Sequence, residues 1–493
     1  MSDIESAQPQ SISSTALASM FREFIQDQFV IEDSETKKPY ECDGLSMFTQ
    51  MPMLVVLPEC IEDVQKVLKI CHQYSIPVVA RGAGTGLCAG AMPHKDGVLL
   101  SLAKFNRILD VDPLARTATL EPGVRNQAIS EEVAEHGLFY GPDPSSQIAC
   151  TIGGNVAENS GGVHCLKYGL TVHNLLSLKI LTVEGEMLTL GSQGLDTNGF
   201  DLMALFTGSE GLLGIVCEVT VKLLPTPEKA QVIMAGFDTV ADAGDAVGAV
   251  IGAGIIPGGL EMMDHHAIVA AEAFVNAGYP IDAKALLLCE LDGTQEEVDQ
   301  YISEVQAIFN RHKATSIRVS QSEAERQLLW KGRKSAFPAV GRISPDYYCM
   351  DGTIPRSQLS NVLTKMEIEA DKLGLRVANV FHAGDGNLHP LILFDAGIPG
   401  DFDKAEKLGA WILEYCVAVG GCITGEHGVG VEKIRQMPIQ FSDAEISQFH
   451  SVKAAFDPKA TLNPGKGIPL LKNCQEYRAM RQIEPEQSVE NVL

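Results

Sequence analysis

No two of the twelve cysteines in this chain stand in C-x-x-C spacing, so zinc-ribbon and iron–sulfur sites lack the ligand pattern they need. Several lie in apolar runs, Cys71 in VLKICHQY and Cys289 in LLLCELD, and read as reduced, buried thiols. Positive charge is scarce too: 38 Lys and Arg face 63 Asp and Glu, a formal net charge of −25. Such a surface repels phosphate backbones and anionic lipid, which argues against nucleic acid as a partner. It also repels an anionic substrate, so a site for one needs local positive charge from Arg, a metal or backbone N–H groups. No stretch approaches the roughly 18 consecutive apolar residues of a membrane span. The polar start, MSDIESAQPQSISS, has no basic segment leading into an apolar one, the arrangement of a secretory signal. The expectation is a cytoplasmic protein whose membrane association, if any, is peripheral.

What is present is an ordinary globular composition, 45% hydrophobic and 20% charged over 493 residues. That length is too great for one core and implies two or three domains. Residues 14–30 read as a helix, and IEDVQKVLKICHQY places Ile61, Val64, Leu68 and Cys71 on one helical face. A short strand at 77–80, a strand at 98–102, a hairpin around Asp112-Pro113 and strands at 176–183, 187–190 and 212–224 follow. Pro225 and Pro227 then break the chain. Beyond them come longer units: strand 231–237, helix 239–253, strand 284–291, helix 295–312, strand 376–381 and helix 401–419. The fold expected is α+β. A two-subdomain first domain spans 14–228, a cap domain with an antiparallel sheet spans 229–425, and a segment 426–493 returns to the first domain.

Two glycine-rich stretches punctuate the first domain. Arg81-Gly-Ala-Gly-Thr-Gly86 follows a short strand, and such loops let backbone N–H groups approach an anion. The register is not G-x-G-x-x-G, because Leu87 occupies the third glycine's place; alone, the loop is equally a tight turn. The second stretch, GPDPSS followed by TIGGNVAENSGG, concentrates flexible residues whose ordering costs entropy, which an unliganded protein has little reason to bear.

In the second half, Phe381-His-Ala-Gly-Asp-Gly-Asn-Leu-His389 sets two histidines about a glycine-bearing turn, and Thr424-Gly-Glu-His-Gly-Val-Gly430 sets Glu beside His. Lone histidines are usually surface or core residues. Two His and one Glu are also the ligand set of a divalent metal site with an open position. Both readings stand on spacing alone.

RGAGTG, GPDPSS, TIGGNVAENSGG and TGSEGLLGIVCEVTVKL, in that order, resemble the FAD-binding domain of the vanillyl-alcohol oxidase / p-cresol methylhydroxylase flavoproteins over about residues 50–228. The resemblance implies FAD contacts from Arg81, Gly82, Ala83, Gly84, Thr85 and Gly86 at the pyrophosphate. It implies Thr151, Gly153, Gly154, Ala157 and Asn159 beside the isoalloxazine, and Gly214, Ile215 and Val216 near the adenosine. Covalent relatives carry a His in the first loop; this chain has Thr85, which implies non-covalent flavin. HAGDGNLHP and GEHGVG resemble the C-terminal domain of the FAD-linked 2-hydroxy-acid dehydrogenases, extending the likeness to nearly the whole chain. That implies a divalent metal, zinc or manganese or iron, on His382, His389 and Glu426, with His427 as catalytic base. Asn387 and Arg333, the latter in LWKGRK, are implied as substrate contacts; the plainer reading of Arg333 is a solvated basic cluster with Lys331 and Lys334.

The activity implied is oxidation of a small 2-hydroxy acid such as glycolate or D-lactate. Where relatives taking diacids carry a second cation, this chain has Tyr347, Tyr348, Cys349 and Met350. The resemblance also implies a second flavin subunit and an iron–sulfur subunit, docked peripherally on the cytoplasmic face of the inner membrane. Three other readings remain open here: a D-lactate dehydrogenase acting alone, a catalytically silent FAD-binding subunit, and a zinc hydrolase without flavin, which would leave both glycine-rich loops unexplained.

Overall fold

A computed structural model describes residues 12–470 apart from Gln193 and residues 195–198. The first eleven residues, and the part of the expected returning segment from 471 to 493 with Cys474, lie outside the described residues. Three larger sheets and a two-stranded pairing of Leu138–Phe139 with Leu224–Pro225 organise the described residues, and the α+β class is the observed one.

The first sheet has four strands in the order Val30–Ile31, Leu54–Val56, Val98–Ser101, Val78–Arg81. The last three run parallel and the first is an antiparallel edge. The helix Ile61–Tyr74 buries Val64, Val67, Leu68 and Cys71 against the sheet, the apolar stripe its sequence spells out. The second sheet is antiparallel, ordered Ile108–Asp112, Thr117–Leu120, Ile215–Lys222, Leu175–Leu181, Met187–Gly191. Ile152 and Val156 of the second glycine-rich stretch belong to the core of this second sheet. The third sheet, which falls within the stretch expected as a cap domain, has seven strands: Ser316–Val319, Lys229–Phe237, Ala285–Gly293, Gly259–Asp264, Arg376–Phe381, Pro390–Phe394 and Asp346–Cys349. All its pairings are antiparallel.

Two expectations need correction. The helix expected over 14–30 ends at Phe21. Leu17, Phe21 and Ile25 are buried together as the periodicity requires, but Val30 and Ile31 leave to pair with Val56 and Val55. Sheet pairing outweighs local helical preference there. The second glycine-rich stretch is not wholly loop, since Ile152–Glu158 is a short helix closed by Asn159 at φ +51°. Its glycines read as a helix breaker, yet Gly153 is where Pro122 packs too close for a side chain.

The described end of the chain bonds back to the first domain. Val78 N–H donates to Thr461 O and Asn463 N–H to Val78 O, each at 2.8 Å. Asn463 Nδ2 also reaches Gly90 O and Glu210 O.

The seam between the domains carries buried charge. His164 of the first domain places Nδ1 2.9 Å from Asp143 Oδ2 and Nε2 3.1 Å from Glu290 Oε1 of the cap. Arg326 and Trp330 also donate to Glu290. Burial alone would push the His164 pKa down, but attraction and hydrogen bonding from Asp143, then Glu290, raise it to about 10 from 6.5. A raised folded value means that the stabilisation is complete below about pH 6.5 and is lost as pH rises through about 10. Thermal unfolding should therefore move downward between pH 7 and 10 in the wild type. His164→Gln should remove most of that dependence and cost about 3–5 kcal/mol at pH 6, because it leaves two buried carboxylates short of a cation. An unchanged pH profile in the variant would show that the seam is held elsewhere.

Candidate active site

A cavity of about 380 Å³ runs along both glycine-rich segments and meets the cap domain. The loop Arg81–Gly86 lines it throughout, with Thr151, Gly153, Gly154, Ala157 and the backbone of Gly214–Val216. Glycine is required in the loop for space. A Cβ on Gly82 would overlap Thr151 Oγ1, and one on Gly84, at φ +71°, would overlap the Arg81 guanidinium. Arg81 itself is fixed from behind, its Nη1 donating to Cys42 O at 2.5 Å. Thr151 Oγ1 is buried without a hydrogen-bond partner among the described residues, the mark of a polar group that awaits a ligand. Asn159 is placed differently from the expectation. It does not line the cavity; it caps the short helix and its Oδ1 accepts from Val172 N–H at 3.0 Å.

The same cavity is lined by Lys334, Phe337, His389, Glu426 and His427 of the second half. The turn after Phe381 closes as its glycines suggest: His382 N–H donates to Asn387 O at 3.1 Å, and the two imidazole centroids lie 5.1 Å apart. Glu426 Oε1 sits 3.4 Å from His382 Nε2 and 2.9 Å from His389 Nε2, and one donor atom from each residue lies within 4.8 Å of the others. His382 Nδ1 is held by Glu261 Oε1 at 2.8 Å. Burial would raise the Glu426 carboxyl, but the hydrogen bonds and charges of His382 and His389 hold it well below the usual range. His427 stacks on His389, centroids 5.0 Å apart and planes within 9°. Its Nδ1 is buried and has no hydrogen-bond partner among the described residues, and burial pushes its pKa down to about 4, against the pull of Asp351. A neutral imidazole of this kind is able to accept a proton.

Two implied substrate contacts lie elsewhere. Arg333 is 1% exposed, outside the cavity lining, with Nε donating to Glu261 Oε2 at 2.9 Å and Nη2 2.6 Å from the same oxygen. It is not solvated, and its Nη2, though close to Glu261, is buried without a hydrogen-bond partner among the described residues. Asn387 is buried behind Gly425 and likewise outside the lining, its Oδ1 unpartnered among the described residues. His382 too is reached only through its neighbours.

Four residues escaped sequence reasoning. Glu261 was legible as a carboxylate inside the apolar strand GLEMMD. Asp351 carries no such signal, yet its carboxylate accepts from Gly425, Glu426 and His427 N–H and from Thr424 Oγ1, which shapes the Glu-His loop. Glu210, inside the TGSEG motif, accepts from Val429 and Gly430 N–H at 2.7 Å each and ties that loop to the first domain. Phe337 lies edge-on to His389 at 6.5 Å.

A flavin-loop cleft that ends on a histidine–carboxylate cluster defines an FAD-linked oxidoreductase. The family profile for the C-terminal domain of FAD linked oxidases matches residues 226–467, and that for the FAD binding domain matches 52–191. Glycolate oxidase subunit GlcD of Escherichia coli (strain K12) is 60% identical over 466 residues, covering 94% of this chain and 93% of that protein. The GlcD of Bacillus subtilis (strain 168) is 38% identical, covering 87% and 91%. A mitochondrial D-lactate dehydrogenase [cytochrome] of Arabidopsis thaliana is 30% identical, covering 85% and 74%. Substrate-bound p-cresol methylhydroxylase, 19% identical with a TM-score of 0.78 over 92% of this chain and 97% of that one, shares the fold. The chain belongs to the FAD-linked oxidase family and, within it, to the group of the glycolate oxidase GlcD subunits.

Thr151→Val should raise the FAD dissociation constant about 10-fold, the worth of one hydrogen bond to a buried group. Apoprotein melting should stay within error, because Thr151 Oγ1 has no protein partner to lose. Flavin fluorescence titration checks the first and calorimetry the second; equal affinity would place the flavin away from Thr151.

Proposed function

We propose that this chain oxidises glycolate, and D-lactate as a second small 2-hydroxy acid, to the 2-oxo acid. The observation that carries the reading is His427, a buried imidazole with an unpartnered Nδ1 that shares one cavity with the flavin loops. FAD, when bound, supplies the acceptor for the α-hydrogen and its two electrons. His427 takes the hydroxyl proton, its burial keeping the ring neutral beforehand. Stacking on His389 and the backbone hydrogen bond to Asp351 hold it in place. Phe337 and Pro338 cover this part of the cavity with apolar surface.

His382, His389 and Glu426 fit a divalent ion: two imidazoles and a carboxylate, with Glu261 behind His382 to fix its tautomer. Zinc, manganese or iron suits the set, and such an ion would supply Lewis acidity toward the substrate hydroxyl. The intact base and donor set argue against a silent subunit.

Substrate size follows from the wall. Phe337 lines the cavity, 6.2 Å from Tyr347 and 6.5 Å from His389, and an aromatic ring there supports a small monoacid over a diacid. An unpaired second carboxylate would be costly there. The similar GlcD proteins are named as subunits, which supports partner subunits for this chain; a second flavin subunit and an iron–sulfur subunit are the electron acceptors that the resemblance implies. Docking would be peripheral, because no helix among the described residues is long and apolar enough to cross a membrane.

Anaerobic titration of the purified, metal-replete flavoprotein tests the reading. Glycolate and D-lactate should bleach the flavin and D-2-hydroxyglutarate should not; flavin that neither small acid reduces overturns it. Glu426→Gln should lower bound metal per chain and slow reduction by at least about 100-fold. Full metal occupancy with normal rates would remove the metal from the proposal.

A further inference from the structure

Thr151 and Glu158 stand at the two ends of one short helix, Ile152–Glu158, and both line the flavin-loop cavity. Thr151 Oγ1 is buried and has no hydrogen-bond partner among the described residues, so this wall of the cavity is made to meet a ligand. Glu158 brings a carboxyl group to the same wall, in a crowded setting. One carboxyl oxygen each from Glu158 and Glu210 lies within 4.8 Å of the other and of Cys88 Sγ. A Cβ on Gly428 would overlap Glu158 Oε2 and crowd Glu210 Oε1, which sets the pair against the loop that carries Glu426 and His427.

Two carboxyl groups so close do not both ionise without a cation between them. The nearby ammoniums are engaged elsewhere. Lys433 Nζ reaches Gly428 O at 2.9 Å, Glu432 Oε2 at 3.0 Å and Asp351 Oδ2 at 3.6 Å. Lys466 Nζ reaches Gly90 O, Met92 O and Asn463 Oδ1. Glu210 accepts two backbone N–H groups, from Val429 and Gly430, which favours its ionised form. Glu158 has the Cys88 thiol, 4.0 Å from its Oε2. The proton therefore belongs on Glu158. Burial, then the charges of Glu210 and the buried Asp43, push its carboxyl well above the usual range, against the pull of Lys433 and Lys466.

We propose that Glu158 is a neutral carboxylic acid that donates its O–H to the flavin in this cavity, with Glu210 as the anion that keeps the proton on it. The proposal rests on flavin binding between these loops and not on which hydroxy acid is oxidised. A carboxylic acid here does what a carboxylate could not. Hydride transfer adds negative charge to a flavin ring, and a preorganised donor in a closed cleft stabilises that charge. An ionised Glu158 would instead set a like charge beside it, in a protein already at −25.

The test is the reduced-minus-oxidised infrared difference spectrum of the FAD-loaded enzyme, recorded on photoreduction. Wild type should show a protonated-carboxyl C=O band that moves when the flavin is reduced and moves again in D2O. Glu158→Gln should lack this band, and Glu158→Asp, which keeps a carboxyl, should shift it. FAD affinity is the second readout. Glu158→Gln retains an N–H donor of similar shape and should bind FAD within about threefold of wild type, whereas Glu158→Leu should raise the dissociation constant about 10-fold, the worth of one hydrogen bond. Absence of the band in wild type, its persistence in Glu158→Gln, or a loss of affinity in Glu158→Gln as large as in Glu158→Leu overturns the proposal. The wild-type spectrum decides it even where a variant fails to fold. A chain that takes up no FAD overturns the flavin reading of the cavity instead.

Discussion

Drawing an anion into a protein that carries a formal charge of −25 is the constraint around which this site is arranged. Long-range attraction is unavailable, so every useful positive charge must be local and shielded. Several buried cations of the structure are paired with defined carboxylates. Arg333 is tied to Glu261, His164 to Asp143 and Glu290, Lys433 to Glu432 and Asp351. Each pair relieves a desolvation cost that a lone buried charge would carry. What such pairing leaves over becomes informative: an imidazole with an orphan nitrogen marks where a ligand belongs.

The same pairs join the domains. Glu210 of the first domain accepts two backbone N–H groups from the loop that carries Glu426 and His427. Asp351 of the cap accepts three more from the same loop. The loop that carries His427 is therefore held between two carboxylates far apart in sequence, and the cleft and the histidine–carboxylate cluster share one frame. Catalysis by a positioned base needs such a frame, because displacement by about 1 Å is enough to lose 100-fold in rate.

Much of this was legible in the sequence. The amphipathic helix Ile61–Tyr74, the hairpin at Asp112-Pro113 and the alternation of strands and helices in the cap follow from local periodicity. The loop Arg81–Gly86 was legible because glycine at close-approach positions leaves a chemical trace. The convergence of His382 and His389 was legible because Gly384 and Gly386 permit the turn between them. Arg333 shows where such reading stops. A motif fixes which residue is present but not which carboxylate reaches it first, and Glu261 lies 72 positions away. Asp351 was invisible for the same reason: nothing local distinguishes a carboxylate that caps a distant loop from one that faces water. The helix Ser14–Phe21 ended early: the chain turns after it, and a 3-10 turn at Asp27–Phe29 leads into the sheet edge at Val30–Ile31.

The adjacency of Arg333 and Lys334 sharpens the point. Consecutive residues on a helix point about 100° apart, so one cation goes into the core and the next into the cavity. The buried one fixes the orientation of His382 through a shared carboxylate. The other, Lys334, lines the cavity and bonds Asp143 Oδ2, an oxygen that His164 holds more closely.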